Sequence, residues 1–235
     1  MIRAVIFDFN GILVDDEQVH FELFREILGR EGIALSARVY HERYLGYDDR
    51  GCFEAALGAA GRPFDRDRIE ELIARKAERY VAVAESGLRF FPAAADCLAA
   101  LAGRWPLAIC SGALRPEIEF TLGRLGRRDR VAVIVSAEDM TRCKPDPEGY
   151  LLALDALRSR RGAGLRDLEA EHCLVIEDSL AGVASAKGAG MWAVGVLHTY
   201  AADELRHAGA DALIEGLDAL TPHWIDSHFG TRLPR

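Results

Sequence analysis

Asp8, Asn10, Ser111, Lys144, Glu177 and Asp178 are polar residues set just beyond short apolar runs. Asp8 and Asn10 close the run Ala4–Phe7 and lead into Gly11. Ser111-Gly112 follows Leu107–Cys110, Lys144-Pro145 comes after Val131–Val135, and Glu177-Asp178-Ser179 follows residues 173–176. Taken singly, each has an ordinary use: Asp and Asn start turns, Ser-Gly and Glu-Asp-Ser cap helices, and Lys-Pro sits in solvated loops. All four at successive strand ends carry the joint signal. Together they offer a carboxylate nucleophile, a hydroxyl, an ammonium and an acidic pair.

That set suits phosphorus chemistry. A carboxylate attacking a phosphate must be shielded from the phosphate's own negative charge. Mg²⁺ does this by bridging the two, and it favours one or two carboxylates with water and phosphate oxygens. Asp8 and Asp178, beside Glu177, are the expected carboxylates, with the backbone carbonyl of Asn10 as a third oxygen. Lys144 would neutralise the group in transfer, while Ser111 and nearby N–H groups, Gly112 among them, would hold its oxygens. Helix starts after Asn10 and Ser111 would add favourable dipoles.

The elements that must position these residues are legible in the same pattern. Residues 15–91 read as helical: Val19, Leu23, Phe24, Ile27 and Leu28 recur at helical spacing with Gly29 and Gly32 at the exit, and further helices lie near 40–44, 51–60 and 65–85. After Phe91-Pro92 strands alternate with helices. Strands are expected at 106–110, 131–135, 173–176 and 192–196, with an edge strand at 212–214. Helices fall near 93–101, 115–125, 147–159 and 180–187. This alternation predicts an α/β fold, a Rossmann-like doubly wound parallel sheet covered on both faces. The economical topology is a core of residues 1–14 plus 92–235, interrupted after its first strand by an α-helical cap of residues 15–91. Residues 13–17 and 86–92 are the linkers. The tail, 223–235, has no clear pattern.

At these residues the chain resembles the haloacid dehalogenase-like hydrolase superfamily, in its β-phosphoglucomutase and phosphatase branch with a helical cap. The matching motifs are Asp8-Phe9-Asn10-Gly11, Ser111, Lys144-Pro145 and Glu177-Asp178-Ser179-Leu180-Ala181-Gly182. The resemblance implies phosphoryl transfer to Asp8 and hydrolysis of the resulting aspartyl-phosphate. It also marks His20 at the hinge, and Arg50 and Lys76 in the cap, as cations that contact phosphate or substrate. If they face the site, a second anionic group on the substrate follows.

Asn10 departs from the pattern, because phosphatase and mutase members carry a second Asp there. An amide keeps a hydrogen bond but cannot exchange a proton near neutral pH. General acid–base help is worth about 10²–10⁴-fold, or about 3–5 kcal/mol of barrier. Three explanations stand. Asn10 was introduced to trap a complex; or Asp15, Asp16, His20 or a cap residue supplies the proton; or the substrate, such as an acyl phosphate, has a good leaving group.

The expected activity is a Mg²⁺-dependent phosphatase of a small, sugar phosphate-like metabolite. The alternatives are a β-phosphoglucomutase-like phosphomutase and a non-catalytic phosphometabolite-binding protein. A net charge of −8 argues against nucleic acid or an anionic membrane as partner. With half of its 235 residues hydrophobic, the chain can bury a sizeable core. No run nears the roughly 20 apolar residues of a membrane span. The five cysteines share no metal-type spacing and fit a reduced, cytoplasmic setting, and the expected state is a monomer or weak homodimer.

Overall fold

A computed structural model of the chain describes residues 1–160 and 165–230. Its centre is β1 (Ala4–Phe7), four residues buried on both faces, as their unbroken apolar run requires. Parallel strands β2 (Leu107–Cys110) and β4 (Cys173–Glu177) flank it, pairing Ile6 with Ala108 on one side and with Val175 on the other. With β3 (Val131–Val135), β5 (Trp192–Val196) and β6 (Ala212–Ile214), the sheet order is β3-β2-β1-β4-β5-β6. Chain order therefore reverses beside β1. Open α/β sheets place ligands in the crevice beyond the strands' carboxyl ends at such a switch point.

Alternate residues of β1 sort the helices into two layers. Val5 and Phe7 pack with Leu98, Ile118 and Ile225, which belong to α5 (Ala94–Ala102), α6 (Arg115–Leu125) and α10 (Pro222–Phe229). Ala4 and Ile6 pack with Tyr150, Val183 and Leu205, which belong to α7 (Glu148–Ser159), α8 (Leu180–Gly188) and α9 (Ala202–Ala208).

Between β1 and α5 the chain makes four helices: α1 (Glu17–Arg30), α2 (Ala37–Arg43), α3 (Asp49–Ala59) and α4 (Arg66–Ser86). They share a core of their own, in which Phe24 meets Phe53 with ring centroids 5.1 Å apart. The two connecting stretches run side by side: Val14 bridges Phe90, Asp15 N–H donates to Arg89 C=O at 2.8 Å, and Phe91 N–H donates to Leu13 C=O at 3.2 Å.

Several local expectations are corrected. α1 runs through Gly29, and the turn comes at Gly32, whose φ of +75° suits glycine. The helices expected after Asn10 and Ser111 begin at Glu17 (α1) and Arg115 (α6), each beyond a short turn. Glu177 is the last residue of β4 rather than a loop residue. Part of the tail is helical: Thr221 caps α10 by accepting from Trp224 N–H, Pro222 occupies its first turn, and Ile225 and Phe229 bury the i, i+4 face. Residues 231–235 of that tail lie outside the described residues. Among the described residues no helix is long and apolar enough to cross a membrane. Four cysteines are buried, Cys143 is exposed, and all five are free thiols.

Candidate active site

β1 ends by delivering Asp8 to the switch point, and β4 ends by delivering Glu177 and Asp178 beside it. Carboxylate oxygens from Asp8, Glu177 and Asp178 lie within 4.8 Å of one another. Lys144, on the loop after β3, donates to Asp8 Oδ1 at 2.7 Å and to Glu177 Oε1 at 2.6 Å. Burial opposes the Lys144 charge, but Asp8 and Glu177 outweigh burial and hold it above the usual lysine value. One ammonium does not neutralise three carboxylates. Burial pushes the Asp8 carboxyl up, with Lys144 pulling it down and Glu177 adding to the rise, to about 6. Burial, then Glu177 and Asp8, push Asp178 well above the carboxylate range.

The three acids are not equivalent. Glu177 Oε1 accepts from Lys144 and from Tyr150 OH at 2.8 Å; Oε2 accepts from Asp178 N–H, Ser179 N–H and Ser179 Oγ. Five donors fill the roughly four lone-pair positions of that carboxylate. Glu177 is thus an anchor for the β4–α8 turn and for Lys144. Asp8 and Asp178 are the carboxylates better placed to give oxygen to a cation, and their crowding fits a divalent one.

The glycines confirm how closely the anchor is packed. A Cβ on Gly182 would stand 1.7 Å from Glu177 Oε1. Gly182→Ala should therefore break the Glu177 network, at a cost of about 3–5 kcal/mol for a disrupted buried charge pair. At about 2–4 °C per kcal/mol for a chain of this size, thermal unfolding should move down by about 6–20 °C. An unchanged midpoint would refute the anchoring role. Gly11, at φ +77°, packs equally tightly on Asp178, with a virtual Cβ 2.2 Å from Oδ2.

Asn10 sits in a second network. Its Nδ2 donates to both Asp16 carboxylate oxygens, at 3.0 and 3.1 Å, and lies 3.2 Å from His20 Nε2. Its Oδ1 accepts from Ser111 Oγ at 3.3 Å. Tyr80 OH donates to Asp16 Oδ2 at 2.7 Å. Burial acts to raise the Asp16 carboxyl, but His20 and the bonds from Asn10 and Tyr80 overcome it and hold Asp16 below the carboxylate range. Asp16 is thus an ion, not an acid. Asp15 pairs with Arg89 at 2.9 Å. Of Asp15, Asp16 and His20, that leaves His20, 3.2 Å from Asn10, as the group beside it able to exchange a proton.

Lys76 and Arg50 lie elsewhere. Lys76 is fully buried, 2.6 Å from Asp49 Oδ1 and 2.8 Å from His20 Nδ1. Burial works against its charge, yet Asp49 and Glu117 keep it above the usual lysine value. It stands behind His20 and not on the cavity wall. Arg50 turns to Glu70 at 2.5 Å on the outer face of α3 and α4. It does not reach the cavity, because its pairing partner lies on the solvent side.

The sheet edge and the helical insert enclose a cavity of about 530 Å³. Asp8, Asn10, Ser111, Gly112, Lys144 and Asp178 line one side, and Phe24, Tyr40, Tyr47 and Asp48 the other. Gly112 lies close to the opposite side, since a Cβ there would meet Asp48 Cβ at 3.3 Å. The cavity also includes His198, Thr199 and Tyr200, which the sequence reading missed. Thr199 Oγ1 donates to Asp178 Oδ2, and His198 Nδ1 lies 2.8 Å from Gly11 C=O. The signal was present: they follow β5 just as Asp178 follows β4.

The family model for haloacid dehalogenase-like hydrolases matches residues 2–190. The chain is 29% identical over 231 residues to validoxylamine A 7'-phosphate phosphatase of Streptomyces hygroscopicus subsp. limoneus, covering 95% of this chain and 98% of that protein. It is 30% identical over 217 residues to the phosphorylated carbohydrates phosphatase of Thermotoga maritima, covering 91% and 94%. Among solved structures, β-phosphoglucomutase from Clostridium difficile superposes with a TM-score of 0.83 over 98% of both chains; at 21% identity this speaks to the fold alone.

Proposed function

The chain belongs to the haloacid dehalogenase-like hydrolases, and from that footing we propose that it is a Mg²⁺-dependent phosphatase of a small phosphorylated metabolite, sugar phosphate-like, working through an aspartyl-phosphate on Asp8. The observation that carries this is the buried Asp8 carboxylate, held by Lys144 at 2.7 Å within reach of Asp178 at the sheet's switch point. Two relatives bear the names of phosphatases of phosphorylated carbohydrate or validoxylamine, which supports the substrate class.

In this reading Asp8, Asp178 and the Asn10 carbonyl hold the cation. When bound, Mg²⁺ offsets the charge of nucleophile and phosphate together. Asp8 attacks phosphorus, the ester oxygen departs with its electron pair and takes up a proton, and water then cleaves the acyl phosphate. Lys144 orients Asp8 and balances its charge. Ser111 and the N–H of Gly112 hold phosphoryl oxygens. Residues 15–91 act as the cap, turning about the paired linkers and controlling entry of water. His20 and Lys76 serve at the seam between cap and core, with Lys76 acting through His20 rather than on the phosphate.

The test is phosphate release from p-nitrophenyl phosphate, whose leaving group needs no proton. Release should require MgCl₂ and stop with a chelator. Binding without release would favour a non-catalytic protein, and interconversion of sugar phosphates with little release would favour a mutase. A second readout does not depend on turnover. Because burial, with the crowding of neighbouring carboxylates, holds Asp8 and Asp178 above their usual values, Mg²⁺ should stabilise the fold by about 2.7 kcal/mol at a hundredfold excess over its dissociation constant. Thermal unfolding should rise with MgCl₂ and not with NaCl of equal ionic strength; identical curves would sink the cation assignment.

A further inference from the structure

Among the described residues, Lys144 is the only Lys or Arg on the cavity wall, and Asp8 and Glu177 engage it. The wall formed by the insert and its first linker is acidic instead: Asp15, Asp16, Glu17, Asp48 and Asp49. Asp15 has Arg89, and Asp16 has its own network. The other three are not fully paired with cations: Arg50 stands near Asp48 but is turned to Glu70. Glu17 accepts from Tyr40 OH at 2.5 Å, and Asp48 from Gly51 N–H and the Cys143 thiol, none of them cationic. Asp49 gives only Oδ1 to Lys76; its Oδ2 is buried and meets no hydrogen-bond donor, in a residue just 9% exposed.

With neither Lys76 nor Arg50 on the cavity wall, the condition for a second anionic group is not met, and a second phosphate here would face three carboxylates with no free lysine or arginine to receive it. Leaving a buried carboxylate oxygen unpaired is costly, and a donor from the ligand would relieve it. A hydroxyl could donate, but only a cation both donates and offsets the clustered charge. Phe24, Tyr40 and Tyr47 on the same wall, with Tyr200 from the loop after β5, add aromatic faces, which attract ammonium groups and cover the apolar faces of sugar rings.

We propose that the leaving-group half of the cavity selects a carbohydrate phosphate monoester bearing a protonated amine, the ammonium facing Glu17, Asp48 and Asp49, and excludes bisphosphates. This rests on the phosphatase reading and names its substrate class. The Mg²⁺ end takes the phosphate and the acidic end takes the amine, so the cavity fixes the direction in which the substrate lies.

The experiment compares glucosamine 6-phosphate, glucose 6-phosphate and fructose 1,6-bisphosphate, by calorimetric binding with MgCl₂ and by phosphate release. Glucosamine 6-phosphate should bind about tenfold tighter than glucose 6-phosphate, a gap typical of one partly buried charge pair. The bisphosphate should bind weakest. Glu17→Gln and Asp48→Asn should each narrow the amine preference to within about threefold, and added salt should weaken it. Equal binding of the two hexose phosphates, or tighter binding of the bisphosphate, overturns the inference. If that happens while p-nitrophenyl phosphate is still hydrolysed, the inference fails alone. If p-nitrophenyl phosphate is inert and no sugar phosphate binds, both fail.

Discussion

Asp8→Ala is expected to abolish phosphate release from every ester, lowering kcat/KM by about 10⁴-fold or more, as loss of a covalent nucleophile does. Aryl, acyl and sugar phosphates should all be affected alike, since each needs the same attack on phosphorus. The fold should survive. Lys144 keeps its bond to Glu177 at 2.6 Å, and Glu177 keeps its other four donors. Removing one of three crowded carboxylates also relieves repulsion on Asp178, whose protonation Asp8 favours. Thermal unfolding without metal should therefore be unchanged or slightly raised, while the Mg²⁺-dependent increase shrinks. A folded Asp8→Ala protein that still releases phosphate at parental rate would end the nucleophile assignment.

Asn10→Asp is expected to raise turnover of poor leaving groups by about 10²–10⁴-fold and to leave p-nitrophenyl phosphate nearly unchanged. The local geometry sharpens this. Asn10 now gives two hydrogen bonds to Asp16 at 3.0 and 3.1 Å. A carboxylate in its place would face another carboxylate at contact distance, and the two could not both be ionised. The pair would retain one proton to higher pH than an isolated acid, which is what donation to an alkoxide requires. The gain should hence be largest at acidic to neutral pH and fall as the shared proton is lost. A pH–rate profile on a sugar phosphate measures this. A gain on aryl phosphate equal to that on sugar phosphate would place the defect outside proton transfer.

The sheet was legible because its strands are buried on both faces. Ala4–Phe7 and Leu107–Cys110 are unbroken apolar runs, and each ends in a residue that the topology delivers to the switch point. Asp8, Ser111 and Asp178 could be found on that rule, while Lys144 lies further along the loop after β3. The rule, applied to the loop after β5, also reaches Thr199. What the sequence could not supply was side-chain direction. Arg50 and Lys76 look alike as cap cations, yet one turns to Glu70 and the other is buried against Asp49. Glu177 and Asp178 look like a pair of ligands, but strand alternation sends one inward to five donors and leaves the other at the cavity. The helix at residues 222–229 was missed because its signal is a short Thr-Pro start and a single apolar i, i+4 pair.

Leu13–Asp15 and Arg89–Phe91 touch along their length, so the four-helix insert enters and leaves the α/β body at one spot. Such a graft adds almost no loop-closure entropy to the sheet beneath it. The body can keep its phosphorus chemistry while the graft is lengthened, recharged or exchanged. Selectivity and reactivity can in this way diverge on separate stretches of one chain, with the acidic wall as the part most free to change.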